Sequence, residues 1–143
     1  MGARTLVIEQ GGNEYGGQIG TIKSTALGWE GHGILSASLM IEWKGGGVSV
    51  GGFCLDEPVD RESGNYERKG TAYGLDHIMW IMKTVGVDQW EALVGKQVIV
   101  LFEGKSAWGS QSVGIASTTD DSMVLVLSDH AKSWREGEGA ENE

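Results

Sequence analysis

Proline is nearly absent from this chain: Pro58 is the one proline in 143 residues. Cysteine is equally scarce, with Cys54 alone. A lone cysteine excludes an intrachain disulfide, so a reducing cytoplasm is the expected setting. No apolar run approaches the ~20 residues that a membrane-crossing helix needs, and no signal-peptide pattern is visible. Positive charge is short too. Eleven Lys and Arg stand against 20 Asp and Glu, for a formal charge of −9. Duplex DNA and membrane surfaces are therefore not expected partners. Catalytic signatures are missing as well. There is no H-E-x-x-H, no C-x-x-C and no Walker loop. His32, His77 and His130 lie far apart in sequence, none at metal-ligand spacing. Gly45-Gly46-Gly47 precedes a strand rather than a helix, unlike a dinucleotide fingerprint. Ser110 and Ser112 lack the surroundings of a nucleophile elbow. No enzyme, metal or cofactor is expected.

Glycine is what the chain has in excess, 24 residues without a collagen-like period. The glycines fall between alternating segments, as in a β-rich protein with tight turns. The length suits a single domain, expected over residues 1–135. Residues 1–17 read as an edge strand or loose arm around Leu6-Val7-Ile8. Residues 136–143 carry four acids and no base and read as a disordered, solvated tail.

Gln18 to Glu30 alternates only in part, a moderate strand signal, and Glu30 to Gly33 reads as a turn. Ile34 to Trp43 alternates cleanly, with Leu35, Ala37, Leu39, Ile41 and Trp43 on one face. Lys44 to Gly47 reverses the chain and Val48 to Leu55 returns, forming a hairpin. Gly51-Gly52 within the return suggests a bulge or a close approach of another backbone. Asp56-Glu57-Pro58 ends that strand, and residues 57–67 read as a polar loop. Cys54 reads as a small core residue in the strand.

Leu75, Ile78, Met79, Met82 and Val85 recur at helical steps, which lines one face of a helix from about Thr71 to Val85. Trp80 lies at or beyond the border of that stripe, which hints at a second apolar contact and so at oligomerisation. Asp88-Gln89-Trp90-Glu91 has the form of a capping box, predicting a short second helix to Val94. Gln97 to Glu103 reads as a buried strand, Trp108 to Ser117 as a further segment, and Met123 to Leu127 as the last strand. The expected class is α+β: an antiparallel sheet with one main helix and a short second helix packed on it.

The helix start carries the best candidate site. Thr71 is placed to cap it. Arg68 and Lys69 stand just before the free amides of the first turn, an arrangement suited to a phosphate. The competing reading pairs both cations with Glu62 or Glu67 as solvated loop charges. Among six tryptophans, Trp43, Trp80 and Trp90 fit core or interface positions. Trp29, Trp108 and Trp134 sit at segment ends, where a ring can stack a nucleobase or cover a sheet edge. His77 reads as a partly buried polar residue rather than a ligand.

Four motifs follow one another in order: GWEGHGILS at residues 28–36, GGFCLD at 51–56, RKGTAYG at 68–74 and GVDQWEALVGK at 86–96. Together they resemble a group of small phage proteins, over Ile19 to Phe102. That group includes the anti-Thoeris sponges, which bind the cyclic ADP-ribose signal of bacterial TIR-domain defence without cleaving it. The resemblance implies a cytoplasmic protein of the infected bacterial cell, a homo-oligomer with pockets at subunit junctions, and a cyclic ADP-ribose-type or cyclic oligonucleotide ligand. Arginines would hold the diphosphate and aromatic rings the base. Arg68, Lys69 and Thr71 at the helix start, His32 in the first turn, Phe102, Trp108 and the C-terminal Arg135 are the candidate ligand contacts. Residues 1–17, the Gly64-Asn65-Tyr66 loop and the last strand depart from the pattern. The alternative is an inhibitor that binds a host defence complex through acidic surface and exposed aromatics, as an anti-CRISPR does. A hydrolase of the same nucleotides is disfavoured, since no base–nucleophile or metal set is visible.

Overall fold

A computed structural model describes residues 6–31, 33–60, 67–103 and 111–141. Its order is β1 (Leu6–Gln10), β2 (Asn13–Trp29), β3 (Leu35–Trp43), β4 (Gly46–Gly51), β5 (Asp56–Pro58), β6 (Arg68–Gly70), α1 (Ala72–Val85), a 3₁₀ turn (Trp90–Leu93), β7 (Gln97–Phe102), β8 (Ser112–Ala116), β9 (Val124–Val126) and α2 (Leu127–Glu141). The class is α+β, as the periodicities imply. One antiparallel sheet runs β4-β3-β2-β7-β8-β9, and β1 pairs the first part of β2. β5 and β6 make a separate two-stranded ladder.

β2 is the spine. Its 17 residues pair β1 and then β3 along one edge and β7 along the other. A bulge falls between Ile22 and Ser24, leaving Lys23 without a partner on β3. One extra residue switches which parity faces the core. Ile22 is buried before the bulge, and Thr25 and Leu27 face the same side after it, opposite Leu39 and Ala37. This is why the alternation of residues 18–30 is only partial. Tyr15 and Gly16, at the end of the expected edge strand or loose arm, are buried residues of this central strand.

β3 follows its pattern, with Ala37, Leu39 and Ile41 buried. Gly51 closes β4 at φ +123, where a Cβ would meet the Ala37 carbonyl oxygen at 2.3 Å, so the expected close approach is real. The sheet curls far enough for the Ser112 hydroxyl on β8 to donate to the Ser49 carbonyl on β4, at 3.2 Å. Inside the curl Ile22, Leu39, Ile41, Val98, Val100, Phe102 and Ile115 meet Ile81 of α1. A smaller cluster on the reverse face joins Tyr15, Ile99, Leu101 and Val126. β7 is therefore buried on both faces, which its unbroken apolar run encodes.

Several expectations are corrected. The buried face of α1 is Gly74, His77, Ile81 and Thr84, not the Leu75–Val85 stripe; Leu75 is 63% exposed. The second helix is a single 3₁₀ turn whose cap position falls on Gln89 rather than Asp88, with no side-chain cap bond, so the expected capping box does not form. Asp56-Glu57-Pro58 does not end pairing but opens the β5–β6 ladder. The last strand stops at Val126, and α2 follows it. Residues 136–141, expected in a disordered tail, continue α2. No helix among the described residues is long and apolar enough to cross a membrane.

Candidate functional site

The start of α1 is fixed to the chain between β4 and β5. The Thr71 hydroxyl accepts from the Gly74 amide at 2.8 Å, the expected cap, and donates to the Leu55 carbonyl at 2.8 Å. Gly74 itself lies on Leu55: a Cβ there would stand 2.1 Å from the Leu55 carbonyl oxygen. The glycine of the T-A-Y-G motif is thus what lets the helix touch this backbone.

Asp56 then organises the ladder. Its side chain is 1% exposed, and it accepts from Arg68 Nε at 2.8 Å and Nη2 at 3.1 Å. It also takes the Leu35 amide at 3.1 Å and the Cys54 thiol at 3.4 Å. The Arg68 hydrogen bond holds the Asp56 carboxyl below its usual range despite the opposing effect of burial. Directly opposite Lys69 in register, Glu57 pairs with it at 3.5 Å. Both cations of the expected anion grip therefore have carboxylate partners, Asp56 and Glu57, and the suggested Glu62 lies outside the described residues.

A cleft of about 330 Å³ opens beside this ladder. Phe53, Cys54, Asp56, Glu57 and Thr71 form one side; Tyr73 of α1 and Ala131, Trp134 and Arg135 of α2 form the other. Small-ligand sites begin at about 300 Å³. Asp56 and Glu57 are neutralised by their partners. Arg135, exposed and without an ion pair among the described residues, is left as the uncompensated charge of the cleft. A second cleft of about 400 Å³, lined by Val48, Ser49, Gln111 and Ser112 among others, has no charged side chain among its described lining residues.

Behind the first cleft lies a polar cluster. His77 is 0% exposed, and its ring stands 5.8 Å from Phe53, 5.8 Å from Tyr73 and 6.1 Å from His130, centroid to centroid. His130 Nε2 bonds Asp76 Oδ2 at 2.7 Å, and the Trp134 indole donates to the same oxygen at 3.0 Å. Burial raises the Asp76 pKa, but the His130 and Trp134 bonds outweigh it and the net direction is down. Burial, aided by His130, pushes His77 down to about 4. Burial pushes the Tyr73 hydroxyl up, against the opposing charge of Arg135. Two histidines far apart in sequence thus meet, although no group of three or more His, Cys, Asp or Glu among the described residues is arranged to hold a metal.

The candidate contacts divide accordingly. Thr71 and Arg135 line the cleft; Arg68 and Lys69 stand behind its acidic edge. Phe102 is a correction: it is 2% exposed in the core, edge-on to Trp43, with no surface for a ligand. His32 and Trp108 lie outside the described residues. Cys54 is a correction too, exposed on the cleft wall rather than buried in a strand. Trp134 lies within α2, not at a segment end. Sequence reasoning passed over Asp56, Tyr73 and Phe53. The GGFCLD and RKGTAYG motifs that contain them were visible, but the pairing that joins them was not.

These features define an α+β protein with a charged, aromatic-walled cleft where a helix start meets a C-terminal helix. The chain matches no protein-family model, no curated protein sequence and no solved structure.

Proposed function

We propose that this protein binds a cyclic nucleotide of the cyclic ADP-ribose type in the Thr71–Arg135 cleft and holds it without cleaving it, as a phage counter to a bacterial immune signal. The single observation that carries this reading is the charge pattern of the cleft. Its acids are matched by Arg68 and Lys69, and Arg135 remains to meet a diphosphate. Phe53, Tyr73 and Trp134 supply rings for a base, each stacked contact being worth ~1–3 kcal/mol. The four ordered motifs support the same ligand class by resemblance. A homo-oligomer belongs to this reading, and the exposed Leu75 and Met79 on α1 offer apolar surface for one.

A depletion assay tests it. Protein is mixed with cyclic ADP-ribose isomers and cyclic oligonucleotides, removed by filtration, and then heat-denatured. A sponge takes up the ligand and returns it intact on heating. Release of a linear product would identify an enzyme instead, and an undiminished ligand pool would favour a protein-directed inhibitor.

A further inference from the structure

Among the described residues, four buried polar atoms lacking a hydrogen-bond partner gather in one place: Tyr73 Oη, both ring nitrogens of His77, and His130 Nδ1. Buried polar atoms are nearly always partnered, so four orphans on three touching rings mark a place built to be completed. The Tyr73 ring stands 5.5 Å from His130 and 5.8 Å from His77. Tyr73 also lines the cleft; His77 lies fully buried behind it, and His130 borders a separate cleft of about 240 Å³ with Trp80 and Asp129.

We propose that Tyr73, His77 and His130 form a hydrogen-bonding subsite that reads the base edge of the bound cyclic nucleotide. The proposal rests on the cyclic-nucleotide reading of the cleft. The donor set fits a neutral heterocycle. A carboxylate only accepts, so His130 Nε2 carries the hydrogen that faces Asp76, and Nδ1 is left for a further partner. His77 offers one donor and one acceptor, and Tyr73 a hydroxyl. Full burial of His77 disfavours a charged partner there. The phosphates stay at Arg135, on the open side. The proposal requires the Tyr73 side chain to turn, because His77 is fully buried as the structure stands.

The test is a pair of titrations, with cyclic ADP-ribose and with cyclic inosine diphosphate ribose, in which a carbonyl replaces the exocyclic amine. Swapping a donor for an acceptor against a fixed buried set should separate the two Kd values about tenfold or more in the wild type. Tyr73→Phe, which removes one oxygen, and His77→Phe should bring that ratio towards one with melting temperature retained. Arg135→Glu should weaken both ligands alike. A wild-type ratio near one, or a ratio that both variants leave unchanged, overturns the subsite and leaves the cleft reading standing; the cluster then holds only water. Absence of binding by the wild type overturns both. Tyr73→Phe alone decides the matter if His77→Phe fails to fold.

Discussion

His77 is buried without a hydrogen bond, and that makes it both a cost and a probe. Its pKa falls from 6.5 to about 4 because burial, then His130, opposes its charge. The unfolded chain takes up this proton near 6.5, whereas the folded chain resists it until about 4. The stability associated with neutral His77 is whole above that window and is lost as pH falls through it, at most on the order of 3 kcal/mol. Asp56 and Asp76, both lowered, act below the ordinary carboxylate range, so their loss comes at lower pH. His77→Leu should flatten the melting temperature between about pH 7 and about pH 4.5, and change stability at neutral pH by less than ~1 kcal/mol, since no bond is lost. A profile as steep as the wild type's would contradict this assignment. Arg68 makes the opposite case. Its fork on buried Asp56 means that Arg68→Glu places two carboxylates together, and the melting temperature should drop well below that of Arg135→Glu. Equal melting curves for the two variants would show the Asp56 pair to be unimportant to the fold.

At the scale of elements, α1 is held by a contact that only glycine permits. Gly74→Ala forces a Cβ into the Leu55 carbonyl and should cost about 1–3 kcal/mol, read by chemical denaturation. An unaltered midpoint would mean that the helix start is not seated as described. This helix was legible in the sequence from its Thr71 cap and its period, but its buried face was not. Leu75 and Met79 obey the period as well as Ile81 does, and only tertiary packing chooses between faces. β3 and β7 were legible because alternation and an unbroken apolar run are direct records of burial. β2 was half hidden by its bulge at Lys23, which reverses the parity that such reading depends on. The β5–β6 ladder and α2 were not legible. Three-residue strands carry too little pattern, and the Gly- and Glu-rich end of α2 has the composition of a solvated tail.

Taken whole, the molecule is an acidic protein whose charge is locally cancelled where it counts. The candidate site was legible in part: the helix start stood out and Arg135 came only with the motif resemblance, but the cancellation did not show, because Asp56 and Arg68 are brought together by the fold across a polar loop. Leu75 and Met79 stay exposed on α1, as a single copy leaves them. Leu75→Glu with Met79→Glu should reduce the assembled mass measured by light scattering, and an unchanged mass would move the oligomer contact elsewhere. The most direct test of the central claim is calorimetric titration of cyclic ADP-ribose into the wild type and into Arg135→Glu. The cleft reading expects saturable heat in the first and little or none in the second, with both proteins melting alike. Indistinguishable isotherms from the two proteins would contradict it.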